Sequence, residues 1–386
     1  MKQNTPLKIV VVTTSRADYS HLYWPLKLLE NDECIDLTII CTASHLSPEF
    51  GTTYNEVINA GFKNVEKIEC LLSSDSDVGM AKSLGLAALG LADKLDQLRP
   101  DLLLLIADRY EMLAPACVAL TLRIPIAHIE GGDVSEGAID DAVRNALTKM
   151  SHIHFTPTKK ARERVIAMGE EPWRVHFAGA PSLDHLHRST LPDKRQIDQI
   201  LSLKSEAPLI VVAYHPVTLL QETTQESESL IEALRERSEQ IVFCFPNADT
   251  GSHKIMQQIE HFCAERANAQ VRVNLAPEIY FGLLSRADLA IGNSSSGIME
   301  TPSLKLPTIN IGLRQKGREQ ASNIIDVPAN TLKIKSAIEK ALSSDFKSIA
   351  NATFNPYGDG NASQKILEVI KALPPREKLL FKQNQL

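Results

Sequence analysis

The chain has 386 residues, 44% of them hydrophobic and 23% charged, which matches ordinary folded proteins and exceeds what one hydrophobic core organises, so two domains are expected. A formal net charge of -6 excludes a polyanion such as DNA as the main partner, because phosphate-backbone affinity comes from clustered Lys and Arg. The six cysteines show no CxxC or zinc-like spacing, and neither a signal peptide nor a run of roughly 20 apolar residues is found, so a cytoplasmic protein with reduced thiols and no membrane partner is expected.

Short apolar β-branched runs alternate with longer amphipathic stretches, the pattern of βαβ units and parallel sheets. In the first half the predicted strands are Ile9–Thr13, Leu37–Cys41, Leu102–Ile106, Ile126–Ile129 and Ile153–Thr156. Several are apolar at consecutive positions, as strands covered on both faces are. The first leads into Thr13-Thr14-Ser15-Arg16-Ala17-Asp18-Tyr19-Ser20, which lacks GxGxxG, so no nicotinamide or flavin cofactor is expected. The third is followed by Ala107-Asp108-Arg109-Tyr110-Glu111, an acid and a base at a strand terminus.

The fourth runs into Glu130-Gly131-Gly132-Asp133, with His128 and Glu130 on one face by period-two spacing. Glu136-Gly137-Ala138-Ile139-Asp140-Asp141 then leads into a helix that carries Arg144. Grouped carboxylates raise one another's proton affinity, which lets one serve as general acid while its neighbour serves as base. Taken singly, each is an ordinary cap or surface residue. A metal is the competing explanation, but there is no DxDxD-like run, and Arg16, Arg109 and Arg314 suffice to neutralise a diphosphate; no metal is expected. The alternating histidines of Ser151-His152-Ile153-His154 have no third ligand nearby and read as structural.

Leu186–Pro208 is rich in charge, Pro and Ser, with Gln196–Leu203 helical inside it, and marks a boundary. The expected domains are 1–186 and 187–365, both Rossmann-like, with 366–386 a terminal helix. The second half repeats the rhythm in Ile210–Tyr214, Ile241–Phe245, Val271–Leu275, Leu289–Gly292 and Thr308–Ile311. His215 and Asn247 follow the first two of these strands, each either facing a crevice or held in a loop; His215 has the chemistry to donate to phosphate or carry a proton. After Leu289–Gly292, Asn293-Ser294-Ser295-Ser296-Gly297-Ile298-Met299-Glu300 reads as a turn opening a helix. Small hydroxyl residues and glycine there let a phosphate approach free backbone N–H groups, or else merely cap the helix. Glu300, one turn in, suits ribose hydroxyls, and Arg314 in Gly312-Leu313-Arg314-Gln315-Lys316-Gly317-Arg318 suits a diphosphate. Two such sheets facing one another leave a cleft at their C-terminal strand ends.

Together these motifs resemble the UDP-N-acetylglucosamine 2-epimerases, and within them the hydrolysing branch that feeds sialic and legionaminic acid synthesis. The resemblance runs nearly end to end, through Ser15-Arg16-Ala17-Asp18-Tyr19, Asp108-Arg109-Tyr110-Glu111, His128-Ile129-Glu130-Gly131-Gly132-Asp133, the serine turn, Arg314-Gln315-Lys316-Gly317-Arg318 and Asn355-Pro356-Tyr357-Gly358-Asp359-Gly360. It implies a GT-B-like architecture, a UDP-sugar substrate and a homo-oligomer, dimer or tetramer. Arg16, Ser20, Arg109, His215, Asn247, Ser294, Ser295, Glu300 and Arg314 would hold the nucleotide and diphosphate. Asp108, Glu130 and one of Asp140 and Asp141, with His215 as a further candidate, would handle protons. The implied reaction converts UDP-N-acetylglucosamine and water to N-acetylmannosamine and UDP. The rivals are the same reaction on a UDP-2,4-diacetamido-2,4,6-trideoxyhexose, a non-hydrolysing epimerase, a glycosyltransferase and a silent nucleotide-sugar-binding regulator.

Overall fold

The apolar runs become strands of two parallel sheets in a computed structural model that describes residues 5–48, 51–72, 76–136, 139–215, 224–245, 252–273 and 275–383. Strands β1 (Leu7–Thr13), β2 (Ile35–Thr42), β3 (Val65–Ile68), β4 (Leu102–Ile106), β5 (Ile126–Ile129), β6 (Ile153–Thr156) and β7 (Val175–Phe177) form one sheet, in the order β3-β2-β1-β4-β5-β6-β7. Strands β8 (Leu209–Ala213), β9 (Gln240–Phe245), β10 (Ala269–Val273), β11 (Leu289–Gly292), β12 (Thr308–Ile311) and β13 (Ile324–Val327) form the other, in the order β10-β9-β8-β11-β12-β13. Both are doubly wound α/β sheets whose order reverses beside their first strand, at β1/β4 and β8/β11. Ligands of such folds sit at that switch point, outside the carboxyl ends of the strands.

Three strands escape the sequence reading, and one is misplaced. β3, β7 and β13 end their sheets and are only partly buried, so they carry polar residues and lack the continuous apolar signal. β10, also an edge, covers Ala269–Val273 instead of Val271–Leu275; Asn274 lies outside the described residues. Central strands show why the reading works elsewhere. Leu209 and Val211 of β8 pack with Ile197, Leu201 and Leu283, whereas Ile210 and Val212 pack with Leu234 and Phe262 on the opposite face. Each such side chain contributes about 1.5–3 kcal/mol by leaving water. Ile197 comes from the helix Lys194–Ile200, so the charged stretch between the halves is partly a surface helix with one core-facing side.

Clustering of contacts separates one unit of Met1–Asp133, Ile139–Asp184 and Gly360–Leu386 from another of Val134–Ala138 and His185–Asp359. Within the first unit the returning C-terminal segment is two helices, Ala362–Lys371 and Arg376–Leu380, broken at Pro374 and Pro375, which cannot continue a helix. Asp184 caps the first of them by accepting from the N–H groups of Ala362 (2.9 Å) and Ser363 (2.8 Å). The buried Arg174 fastens the second by donating to the carbonyls of Leu379 (2.9 Å) and Lys378 (3.2 Å).

Candidate active site

In the first unit, the loop after β1 is fixed by its own side chains. Ser15 and Asp18 form a capping box, and Asp18 Oδ2 also accepts from the N–H groups of Thr14 (2.9 Å) and Ser15 (3.1 Å). This starts the helix Arg16–Glu30 directly off the strand, with Arg16 as its first residue, 3.3 Å from Glu56, and half-buried Ser20 one turn further on.

The ends of β4 and β5 lie side by side, Ile106 paired with Ile129. The next residue on one strand, Ala107, and on the other, Glu130, are left-handed (φ 58° and 65°). For non-glycine residues this costs on the order of 1–3 kcal/mol, and such strain collects at functional sites. Backbone bonds hold both in place, Ala107 N–H to Ile129 O (2.9 Å) and Glu130 N–H to Phe155 O (2.8 Å). The left-handed turn ends the period-two alternation expected for His128 and Glu130. His128 donates from Nε2 to Ala107 O (2.8 Å), and its complete burial pushes its pKa down to about 4, so it is a neutral prop beneath the loop. Glu130 instead meets His21 of the first helix, Nδ1 to Oε1 2.8 Å.

Asp108 receives a charge-assisted hydrogen bond from Nη2 of Arg144, whose side chain is only 2% exposed. The same guanidinium lies 3.8 Å from Asp141, which also accepts from Asn145 (3.2 Å). Thus the structure gathers Asp108 and Asp141 on one buried cation and sets Glu130 at the adjacent strand end. Asp140 is the half-buried first residue of the helix Asp140–Met150. Arg109 is tied to the buried Glu111 at 2.9 Å. His152 and His154 are buried: His152 accepts from Ile126 N–H (3.0 Å) and His154 pairs with Glu170 (3.2 Å).

In the second unit the switch point is closed by glycine and asparagine. At Gly292 (φ 145°) a Cβ would stand 1.9 Å from Ala213 O, so only glycine lets β11 end against β8. Asn293 then clamps His215 from both sides, accepting from its N–H (2.7 Å) and donating to its carbonyl (2.8 Å). The Asn293 carbonyl in turn accepts from Arg314 (3.0 Å) and Gln315 (2.8 Å). Burial, then the nearby Arg314 charge, holds His215 well below the usual imidazole range. Asn247 lies outside the described residues.

The helix expected after the serine turn is a single turn, Ser296–Met299, ended by Glu300. Its macrodipole is correspondingly small, and Ser295 at the N-cap position makes no side-chain cap bond. Ser294 Oγ accepts from Ser296 N–H (3.3 Å), while Ser296 Oγ donates to Glu300 and accepts from the Tyr280 hydroxyl (2.9 Å). Any anion here therefore depends on turn N–H groups and the Arg314 guanidinium more than on a helix dipole. Among the described residues no three His, Cys, Asp or Glu side chains converge as metal ligands, and no helix is long and apolar enough to cross a membrane.

A family model described as UDP-N-acetylglucosamine 2-epimerase matches residues 27–371. The chain belongs to that family. A relative from Campylobacter jejuni, named GDP/UDP-N,N'-diacetylbacillosamine 2-epimerase (hydrolyzing), is 38% identical over 88% of each chain. One from Legionella pneumophila, named UDP-N,N'-diacetylbacillosamine 2-epimerase (hydrolyzing), is 34% identical over 98% of this chain and 99% of its own. The solved UDP-GlcNAc 2-epimerase of Neisseria meningitidis, bound to UDP-GlcNAc, shares the fold, with a TM-score of 0.82 at 19% identity over 95% of this chain and all of its own.

Within the family frame, the sequence reading passed over the partners of its own candidates. The sequence does not single out His21 and gives Arg144 no role, yet they hold Glu130 and Asp108. Asn293 and Gln315 belong to the serine-turn and Arg314 motifs with no role legible in sequence, yet they join the His215 and Arg314 loops. Only for Gly292 was there a local signal, a glycine closing an apolar strand just before polar residues.

Proposed function

We propose that this chain is a hydrolysing 2-epimerase of a UDP-2-acetamido sugar, with the acids of the first unit and the phosphate-binding loops of the second acting on one substrate. The observation that carries the reading is the pair of differently partnered acids at adjacent strand ends, Asp108 on Arg144 and Glu130 on His21. Carbon 2 of such a sugar is a poor acid. UDP departure from carbon 1 therefore leads, assisted by Arg314 and the turn N–H groups of Ser294 and Ser295, while Glu300 takes the ribose and Arg16, Ser20, Arg109, His215 and Asn247 complete the nucleotide site. One carboxylate of Asp108, Glu130 and the Asp140/Asp141 pair removes the carbon-2 proton, giving a glycal. Water then adds at carbon 1 as a second acid protonates carbon 2 from the opposite face, releasing the manno-configured free sugar and UDP. Asp141, on the Arg144 cation with Asp108, is assigned the supporting part of the aspartate pair.

The names and identities of the Campylobacter and Legionella relatives favour UDP-N,N'-diacetylbacillosamine as substrate. The family's own description favours UDP-N-acetylglucosamine as the second reading. Turnover of each in deuterium oxide, followed by NMR, tests both points. One deuterium at carbon 2 of a free manno sugar is expected. An unlabelled product excludes elimination, and a UDP-linked product makes the enzyme non-hydrolysing.

A further inference from the structure

The acids of the first unit do not stand on an unbroken stretch of it. Between Asp133 and Ile139, with Glu130 before and Asp140 and Asp141 after, the chain passes through Val134–Ala138, which belongs by its contacts to the second unit. Within that unit Val134 and Glu136 lie against the loop 312–318, the loop that carries Arg314. Arg318 donates from Nε to the Val134 carbonyl (3.3 Å) and from Nη1 to the sulfur of Met299 (3.2 Å), the last residue of the single helical turn in the serine motif. Lys316 Nζ is 3.2 Å from Glu136 Oε2. Gly317 lets the two backbones approach. It is left-handed (φ 87°), and a Cβ there would stand 2.5 Å from Val134 Cγ1 and 3.1 Å from Glu136 Oε1.

The loop itself is braced. Lys316 N–H bonds to Leu313 O (2.9 Å) and Arg318 N–H to Gln315 O (3.2 Å), while Arg314 and Gln315 both hold the Asn293 carbonyl. One short loop therefore joins the serine motif, the Asn293 clamp on His215 and the segment between the acids. The Lys316–Glu136 pair is 64% and 50% exposed, and such a screened pair contributes little, so Gly317 and Arg318 carry the contact. We infer that Gly317 and Arg318 are positioning residues: through Val134 they pass occupancy of the diphosphate site at Arg314 to the carboxylates on either side of Val134–Ala138. The inference rests on the UDP-sugar reading above, and it links leaving-group binding to the placing of the acids that move protons. Coupling of this kind runs through contiguous contacts and has an observable, the ordering of the receiving segment when the ligand binds.

Amide hydrogen exchange of the full chain, with and without saturating UDP, tests it. In the wild type UDP slows exchange at residues 131–136 and in the helix Asp140–Met150 by at least about fivefold, the low end of ordinary coupling between sites. Arg318→Met removes both donors, and Gly317→Val drives a side chain into Val134. Each variant binds UDP within about threefold of wild type by calorimetry, loses the UDP-dependent protection, and lowers kcat at least about fivefold with KM nearly unchanged. Arg318→Lys, which keeps a charged donor, recovers part of the turnover. Arg314→Met behaves differently, losing UDP affinity itself. Where Gly317→Val fails to fold, the Arg318 variants and the wild-type exchange decide. UDP that binds the wild type without slowing exchange there, or Arg318→Met that keeps the protection, overturns this inference alone. Variants that lose UDP affinity in step with turnover make these residues part of the nucleotide site and overturn the positioning role. A wild type that binds no UDP overturns the UDP-sugar reading as well.

Discussion

Replacing Arg144 by Met removes the cation that Asp108 and Asp141 share while keeping most of the buried side-chain volume. Arg144 is 2% exposed and Asp108 18%, so the pair sits close to the buried limit, where deleting one partner costs about 3–5 kcal/mol. Asp141, at 3.8 Å and 33% exposed, adds only the fraction of a kcal/mol typical of screened pairs. Because Asp108 keeps some access to water, the expected loss is about 3 kcal/mol, or roughly 6–12 °C in melting temperature for a unit of this size. Asp108→Asn in the Arg144→Met background removes the stranded charge and restores part of the loss, giving a coupling of about 1–3 kcal/mol in the four-member cycle. Urea titrations with thermal melts measure this directly. A single variant melting within 2 °C of wild type, or a strictly additive double, refutes the claim that this cation organises the acid cluster.

Glu130→Gln and Asp108→Asn are expected to lower turnover at least a hundredfold while UDP binding by calorimetry changes less than threefold; equal losses of both make these residues scaffold. His21→Gln keeps a ring-sized donor beside Glu130 but cannot take up a proton, so the pH–rate profile should shift and not merely scale down; a profile of unchanged shape makes the contact structural. Buried His45, His128 and His152 each have their pKa pushed down to about 4 by burial, below the ordinary 6.5. They are neutral in the fold and protonate first in the unfolded chain. Their stabilisation is complete above pH 6.5 and disappears as pH falls toward 4, by about 2 kcal/mol per histidine at pH 5. A melting temperature that stays flat from pH 7 to 5 contradicts the burial of these rings. Gly292→Ala, whose Cβ meets Ala213 O, should abolish UDP-dependent thermal stabilisation or soluble expression; a wild-type shift with UDP shows that the β8/β11 junction is not needed.

Much of the architecture is legible without coordinates because it is written in short-range periodicity. Leu102–Ile106, Ile126–Ile129 and Leu289–Gly292 are read at their true bounds, since strands buried on both faces are apolar at nearly every position, the hydrogen-bonded His128 excepted. The acids and the serine turn are legible for a related reason: in a parallel sheet the residues after each strand fall at one edge, so Asp108, Glu130, His215 and Ser294 are placed by strand direction alone. Edge strands such as β3 and β13 are not, because half-covered strands carry polar residues that look like loop.

What the amino-acid order determined by itself is which residues stand at the ligand edge of each sheet. What only the tertiary structure decided is how they are partnered. Asp108 finds Arg144 36 positions away, and Glu130 finds His21 109 positions back. Asn293 reaches His215 over 78. Such pairs leave no trace in local pattern, because they depend on which strands become neighbours and on a left-handed residue turning a side chain away from the face its spacing predicts. Strand neighbours and that turn are settled only when the sheet closes on its core.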